Sequence, residues 1–313
     1  MTNLRESPAG SGRREVPNET TDAIERLSGA AVTALWRQWA ALGEAAAKPP
    51  RTIVDLEALL LASEWFAEDE PRLTSVSALW RRRFESLVSS QRLRNLRERS
   101  AKWLPASTAN RRVSERLGDA SSSRKPTSRV QRSSVSPVAR GIPTLQLQLR
   151  LLLGVGAKAD TMALLLGRRQ DQSLPDWCIA HETAYGSHAV RKVTKDLATS
   201  NVIASSRDGQ HRIVEPESWW KILQRPAPER TVWQSWAVIF AWTAAARVII
   251  RRGMARNVTP YALGGQLDTL GEALGDPLPW SAPLRPPGPN AEAGVAAFVR
   301  RCEELTRDLT TDA

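Results

Sequence analysis

The stretch that most constrains this chain runs from Ile179 to Val214 and reads IAHETAYGSHAVRKVTKDLATSNVIASSRDGQHRIV. Its apolar residues change period partway along. Trp177, Cys178, Ile179 and Ala180 lie on a short first helix, and Thr183, Ala184, Tyr185 and Gly186 supply a turn. A second helix is expected over 187–199, because Val190, Val193 and Leu197 fall three and four apart and so share one face. Ser187 is the expected N-cap, its hydroxyl placed to accept from an orphan backbone N–H of the first turn. After Asn201 the period drops to two. Val202 and Ile203 open one short strand, and Ile213 and Val214 close another. Between them lies Asp208-Gly209, a dipeptide that tolerates the two positive φ angles of a type I′ hairpin turn.

If Val190, Val193 and Leu197 face inward, the opposite side of the second helix presents His188, Arg191 and Lys195, with Ser187 and Lys192 at its margins. A helix has about the width of the major groove of duplex DNA. Arg191 has the geometry to read guanine through two parallel hydrogen bonds, and Ser187 and His188 stand at the end that usually meets base edges. Arg207 and Arg212 flank the hairpin turn, within reach of phosphates or of the adjacent minor groove. The expected contact set is therefore Ser187, His188, Arg191, Lys192, Lys195, Arg207 and Arg212. The competing reading of the same residues is a solvated basic face used for protein contacts. Helix, turn, helix and tight hairpin is the order of a winged helix. The segments IAHETAYGS, SHAVRKVTKDLATSNVI and SSRDGQHRIV resemble the winged helix-turn-helix transcription regulators of the MarR and ArsR type. The resemblance spans residues 144–214, under a quarter of the chain. It implies double-stranded DNA binding and names no operator.

The charge distribution bears on that expectation. Net charge is +11 over 313 residues, and +10 of it falls between Arg92 and Arg140, where thirteen Lys or Arg meet three Asp or Glu. A basic segment of this kind fits a polyanionic partner. Cys178 and Cys302 stand far apart in apolar surroundings, with no Cys/His ligand spacing. Neither a zinc site nor a disulfide framework is expected, and a reducing, cytoplasmic setting fits. The N-terminus has no apolar signal core. The most apolar run, 232–250, is interrupted by Gln234, Ser235, Thr243 and Arg247, so no membrane span is expected.

The remaining chain reads as mainly α. A polar, disordered segment is expected over 1–21. Amphipathic helices follow over 22–44, 54–67 and 75–104, forming an N-terminal helical domain over 22–104. Residues 105–141, rich in serine and arginine, form a linker too polar to offset its own ordering entropy, and one suited to riding on phosphates. TLQLQLRLLL and AKADTMALLL read as two helices joined at Gly154-Val155-Gly156, and with the stretch above they make a central winged-helix domain over 142–215. The two glycines lack the third glycine or GK[ST] that a phosphate loop needs, so nucleotide binding is not expected. A C-terminal, Trp-rich helical domain over 216–313 contains a helix over 231–251 that is apolar almost all round. Such a helix belongs at the centre of a bundle or in an interface.

His181, His188 and His211 form no catalytic motif, the carboxylates show no paired arrangement, and Glu182 beside His181 reads as incidental. The chain is expected not to be an enzyme and to need no cofactor or metal. The leading expectation is a DNA-binding transcriptional regulator, working as a homodimer because paired half-sites multiply specificity. A second is an interaction protein of antitoxin-like type, whose Trp-rich helices hold a protein partner. A third is RNA binding through the serine-arginine segment.

Overall fold

Buried apolar residues separate into two clusters that do not follow the order of the chain. A computed structural model describes residues 18–104, 141–168, 172–256, 258–274 and 291–311. The segment 1–17, nearly all of the serine-arginine linker and the proline-rich stretch 275–290 lie outside the described residues. Among the described residues there are twelve α-helices and one three-stranded antiparallel sheet.

The first cluster joins the two ends of the chain. It draws on α1 (Asn18–Ala41), α2 (Leu56–Trp65), α3 (Arg72–Phe84) and α4 (Ser90–Ser100). To these it adds α10 (Trp236–Ala255), α11 (Pro260–Leu274) and α12 (Ala291–Thr311). The N-terminal and C-terminal helical regions thus share one core. Helix α10 lies at its centre: Ile239, Phe240, Trp242 and Ala245 are all within 1% of full burial. Of the two places open to an all-round apolar helix, this one occupies the middle of a bundle. Trp39 and Trp80 are fully buried with ring centroids 6.4 Å apart, and the Trp39 indole N–H donates to Ser63 Oγ at 3.1 Å.

The second cluster holds α5 (Leu145–Leu153), α6 (Ala157–Leu166), β1 (Leu174–Pro175), α7 (Asp176–Thr183), α8 (Ser187–Thr199), β2 (Ile203–Ser205), β3 (Gln210–Ile213) and α9 (Pro216–Ile222). The sheet order is β1-β3-β2. Ile203 pairs with Ile213, Ser205 with His211, and Leu174 with His211 from the other side. The two clusters meet through backbone hydrogen bonds between connecting segments. Ile53 N–H donates to Val232 O at 2.8 Å, Val54 N–H to Pro143 O at 2.8 Å, and Val232 and Trp233 both donate to Gly167 O. A Cβ on Gly167 would lie 2.6 Å from Ile53 Cδ1 and 3.0 Å from a backbone oxygen, so a larger residue there would require Ile53 and the nearby backbone to shift.

Several boundaries differ from the sequence expectation. Helix α1 begins at Asn18, inside the segment expected to be disordered. The single helix expected over 75–104 is broken at Val88, where the backbone is extended, because Ser89 caps α4 by accepting from Arg92 N–H. The helix expected from residue 231 starts at Trp236, since the backbone N–H groups of Val232 and Trp233 are bonded to Gly167. Strand β1 carries no periodic signal, being two residues long and ending in proline.

Candidate nucleic-acid interface

Helix α7 ends where Ala184 takes a left-handed backbone, φ 57°, and the chain turns through buried Tyr185 into α8. Gly186, not Ser187, occupies the N-cap of α8, and no side chain caps it; Ser187 is the first helical residue and is exposed. Extended backbone at Gly186 starts the helix, its carbonyl accepting from Val190 N–H at 3.1 Å. Val190 and Leu197 are buried as their spacing requires and Val193 is half-buried. Thr194, also on this side, is buried as well.

Ser187, His188, Arg191, Lys192 and Lys195 are all exposed, together with Arg207 and Arg212 of the hairpin. On a helix of about 100° per residue, His188, Arg191, Lys192 and Lys195 share one side, opposite Val190 and Leu197. Arg191 bonds only to its own helix, through Ser187 O at 3.4 Å, and these cations have no carboxylate partner among the described residues. The hairpin turn is not of type I′. Gly209 has φ +69°, whereas Asp208 is absent from the positive-φ residues. Gly209 N–H donates to Ser206 O, and Ser206 N–H donates to Gln210 O. This is a three-residue turn in which glycine alone takes the left-handed position. Arg207 sits in the turn; Arg212 stands on β3 beside Arg168, Gln172 and Trp220.

One carboxylate ties helix and hairpin together. Asp176 Oδ1 accepts from Thr194 Oγ1 of α8 at 2.9 Å and lies 3.1 Å from His211 Nε2 of β3. His211 Nδ1 in turn lies 2.9 Å from Ser205 Oγ of β2. His211 is therefore an inward-facing, buried residue, unlike the exposed His188.

The turn between α7 and α8 is also gripped by the bundle. Three side chains of α4 serve the C-terminal carbonyls of α7: Arg92 Nε donates to Thr183 O at 2.7 Å, Asn95 Nδ2 to Ala184 O at 2.7 Å, and Arg99 Nη1 to His181 O at 3.0 Å. Glu182 is not incidental; it accepts from Trp233 Nε1 at 2.9 Å and Ser235 Oγ at 2.6 Å. Beneath this lies a buried ionic cluster. Arg92 is bidentate to Asp55, both contacts 2.5 Å, and reaches Glu57 at 2.7 Å. Arg150 is bidentate to Glu57, both contacts 2.7 Å, and to Asp160 at 2.8 and 2.7 Å. Tyr185 OH lies 2.9 Å from both Ser89 Oγ and Asp160 Oδ2. All four charged side chains of the Arg92, Arg150, Glu57 and Asp160 group are fully buried.

Burial alone would raise the Glu57 pKa. The charge and hydrogen bonds of Arg150, then Arg92 and the Ser89 N–H, outweigh it and hold the carboxyl at about 2. For both arginines, burial opposes the charged form and the surrounding carboxylates more than restore it, so both pKa values rise. Sequence reasoning missed this cluster, counting Arg92 within the basic segment. A signal was there for one member: Arg150 is the lone charge in the apolar run LQLQLRLLL.

Among the described residues no group of three or more His, Cys, Asp or Glu is placed to hold a metal, and no helix is long and apolar enough to cross a membrane. Comparison with protein-family models, with curated proteins and with solved structures finds no match.

Proposed function

We propose that residues 142–215 form a winged helix that binds double-stranded DNA, and that the protein acts as a transcriptional regulator. The observation that carries this reading is the outward side of α8. It presents Ser187, His188, Arg191, Lys192 and Lys195 with no carboxylate in bonding distance; Asp196, the one acidic residue of α8, is exposed beside Lys192 and Lys195, while Asp176 and Glu182 are engaged in holding the scaffold. The element order helix, strand, helix, helix, strand, strand, with sheet order β1-β3-β2, supports it. In this reading α8 enters the major groove, Arg191 reads a base, and Arg207 and Arg212 meet backbone phosphates. A two-fold dimer would set two such faces against paired half-sites.

The test is duplex affinity on a recovered target site under moderate salt. Arg191→Ala loses about 1–3 kcal/mol of preference at one base pair, whereas Arg207→Ala and Arg212→Ala weaken all sequences alike. Unchanged affinity in all three variants contradicts the assignment. The partner-protein reading rested on the apolar surface of α10, and that surface is covered within the chain by α1, α2 and α11. It would regain support if the protein co-purified with a stoichiometric partner and had no duplex affinity alone.

A further inference from the structure

On charge alone, a carboxylate weakens the binding of a polyanion. Asp176 is nonetheless built into the module proposed to meet DNA. It is the first residue of α7, and its side chain is 31% exposed. A single oxygen, Oδ1, serves two elements: Thr194 of α8 and His211 of β3, both of them buried. A carboxylate oxygen only accepts, so Thr194 Oγ1 and His211 Nε2 are both donors here. The link continues from His211 Nδ1 to Ser205 Oγ, on the residue that pairs with His211 across β2 and β3. One chain of hydrogen bonds therefore runs from α8 through α7 to both strands of the hairpin.

The two hairpin arginines stand at the far end of this chain. Successive side chains of β3 point to opposite faces, so an inward His211 sets Arg212 outward. Arg207 comes two residues after Ser205. Strand β1, on the other side of β3, is only two residues long, and Pro175 has no N–H to donate. Ile203 and Ile213 anchor the hairpin in the core, but apolar packing is non-directional. The bonds through Asp176 add direction to it.

We propose that Asp176 is a positioning residue of the DNA interface. It holds the hairpin at the angle to α8 at which Arg207 and Arg212 reach phosphates of the duplex that α8 enters. It acts through those two arginines and makes no DNA contact of its own. The inference rests on the DNA-binding reading above.

The test is the affinity of the full chain for a mixed-sequence duplex across a salt series, where phosphates supply the binding. Charge and position predict opposite results. As a positioning residue, Asp176→Ala lowers affinity and makes the slope of log affinity against log salt shallower by about 2, as the Arg207→Ala, Arg212→Ala double variant does. Added to that double variant it changes the slope no further, because the contacts it positions are already gone. Asp176→Asn keeps Oδ1 as an acceptor for both partners and keeps the slope of the unaltered chain. Tighter binding by Asp176→Ala with the slope intact, as loss of a negative charge alone would give, overturns the proposal. So do slope losses that add in the triple variant, or an Asp176→Asn that behaves like Asp176→Ala. If Asp176→Ala fails to fold, Thr194→Val, which removes only the α8 arm of the link, is read on the same slope: a loss supports the proposal and no change overturns it. Absence of duplex binding by the unaltered chain, or no slope change in the arginine double variant, removes the DNA-binding reading and this proposal with it. A slope that responds to the two arginines and not to Asp176→Ala removes this proposal alone.

Discussion

Arg92 and Arg150 lie within one cluster of carboxylates, with no solvent exposure, and each of them makes several hydrogen bonds at 2.5–2.8 Å. Arg191, Arg207 and Arg212 lie on the outside of the neighbouring small module and face solvent without a carboxylate. The residue type is the same, and the surroundings are opposite. Inside, the cations are fully matched and fix the position of the helix turn; outside, they are left unmatched and available. Counting basic residues along the sequence cannot separate the two groups, which is why Arg92 was counted with the wrong one. What separates them is whether a carboxylate has been brought within bonding distance.

The largest effect should come from the inner group. Arg150→Met leaves Glu57 and Asp160 buried without their main partner, and destabilises the fold by about 3–5 kcal/mol in urea denaturation. The equivalent outer change, Arg191→Met, should stay within about 0.5 kcal/mol. Similar losses from the two would erase the distinction. Acid provides the next contrast. Glu57 has a folded pKa of about 2, depressed from 4.5, so its contribution is complete above about pH 4.5 and is lost as pH falls through about 2. Urea midpoints should therefore drop progressively across that window. A flat profile there would mean that the carboxyl is not held ionised by its arginines.

Under the proposed function, duplex recognition should rank below these in energy and depend on the outer group alone. Arg191→Ala costs about 1–3 kcal/mol at a single base pair with stability preserved. The smallest effect expected within the inner cluster is that of Tyr185→Phe, which removes one hydroxyl from between Ser89 and Asp160. It should cost about 1 kcal/mol of stability, readable as a shift in the urea midpoint. If it also abolished duplex binding at unchanged stability, the inner cluster would be setting the orientation of α8 and the separation of roles would need redrawing.

Much of the outer group was legible in sequence because local rules govern it. The spacing of Val190, Val193 and Leu197 fixes which side of α8 faces out, and Gly209 marks the turn whatever its type. The inner group was illegible because its partners are far apart along the chain: Glu57 meets Arg150 across 93 residues and Arg92 meets Thr183 across 91. No local period reports such a pairing. The same holds for Leu174-Pro175, which becomes a strand only because β3 supplies its partner, and for Val232 and Trp233, kept out of the helix because Gly167 and Ile53 take their backbone groups. Likewise, the joint core of α1–α4 with α10–α12 could not be inferred from a chain whose middle third separates them.

The most direct measurement of the central claim is the salt dependence of duplex affinity. A plot of log affinity against log salt should fall steeply for the unaltered chain. It should become shallower by about 2 in the Arg207→Ala, Arg212→Ala double variant, since each phosphate contact contributes about one counterion. Changing Arg81 and Arg82, exposed cations of α3 on the bundle, to alanine should leave the slope as it was. Absence of duplex binding at about 50 mM salt, or an equal loss of slope from the α3 changes, would contradict the claim that the outward cations of α8 and its hairpin are the surface that meets DNA.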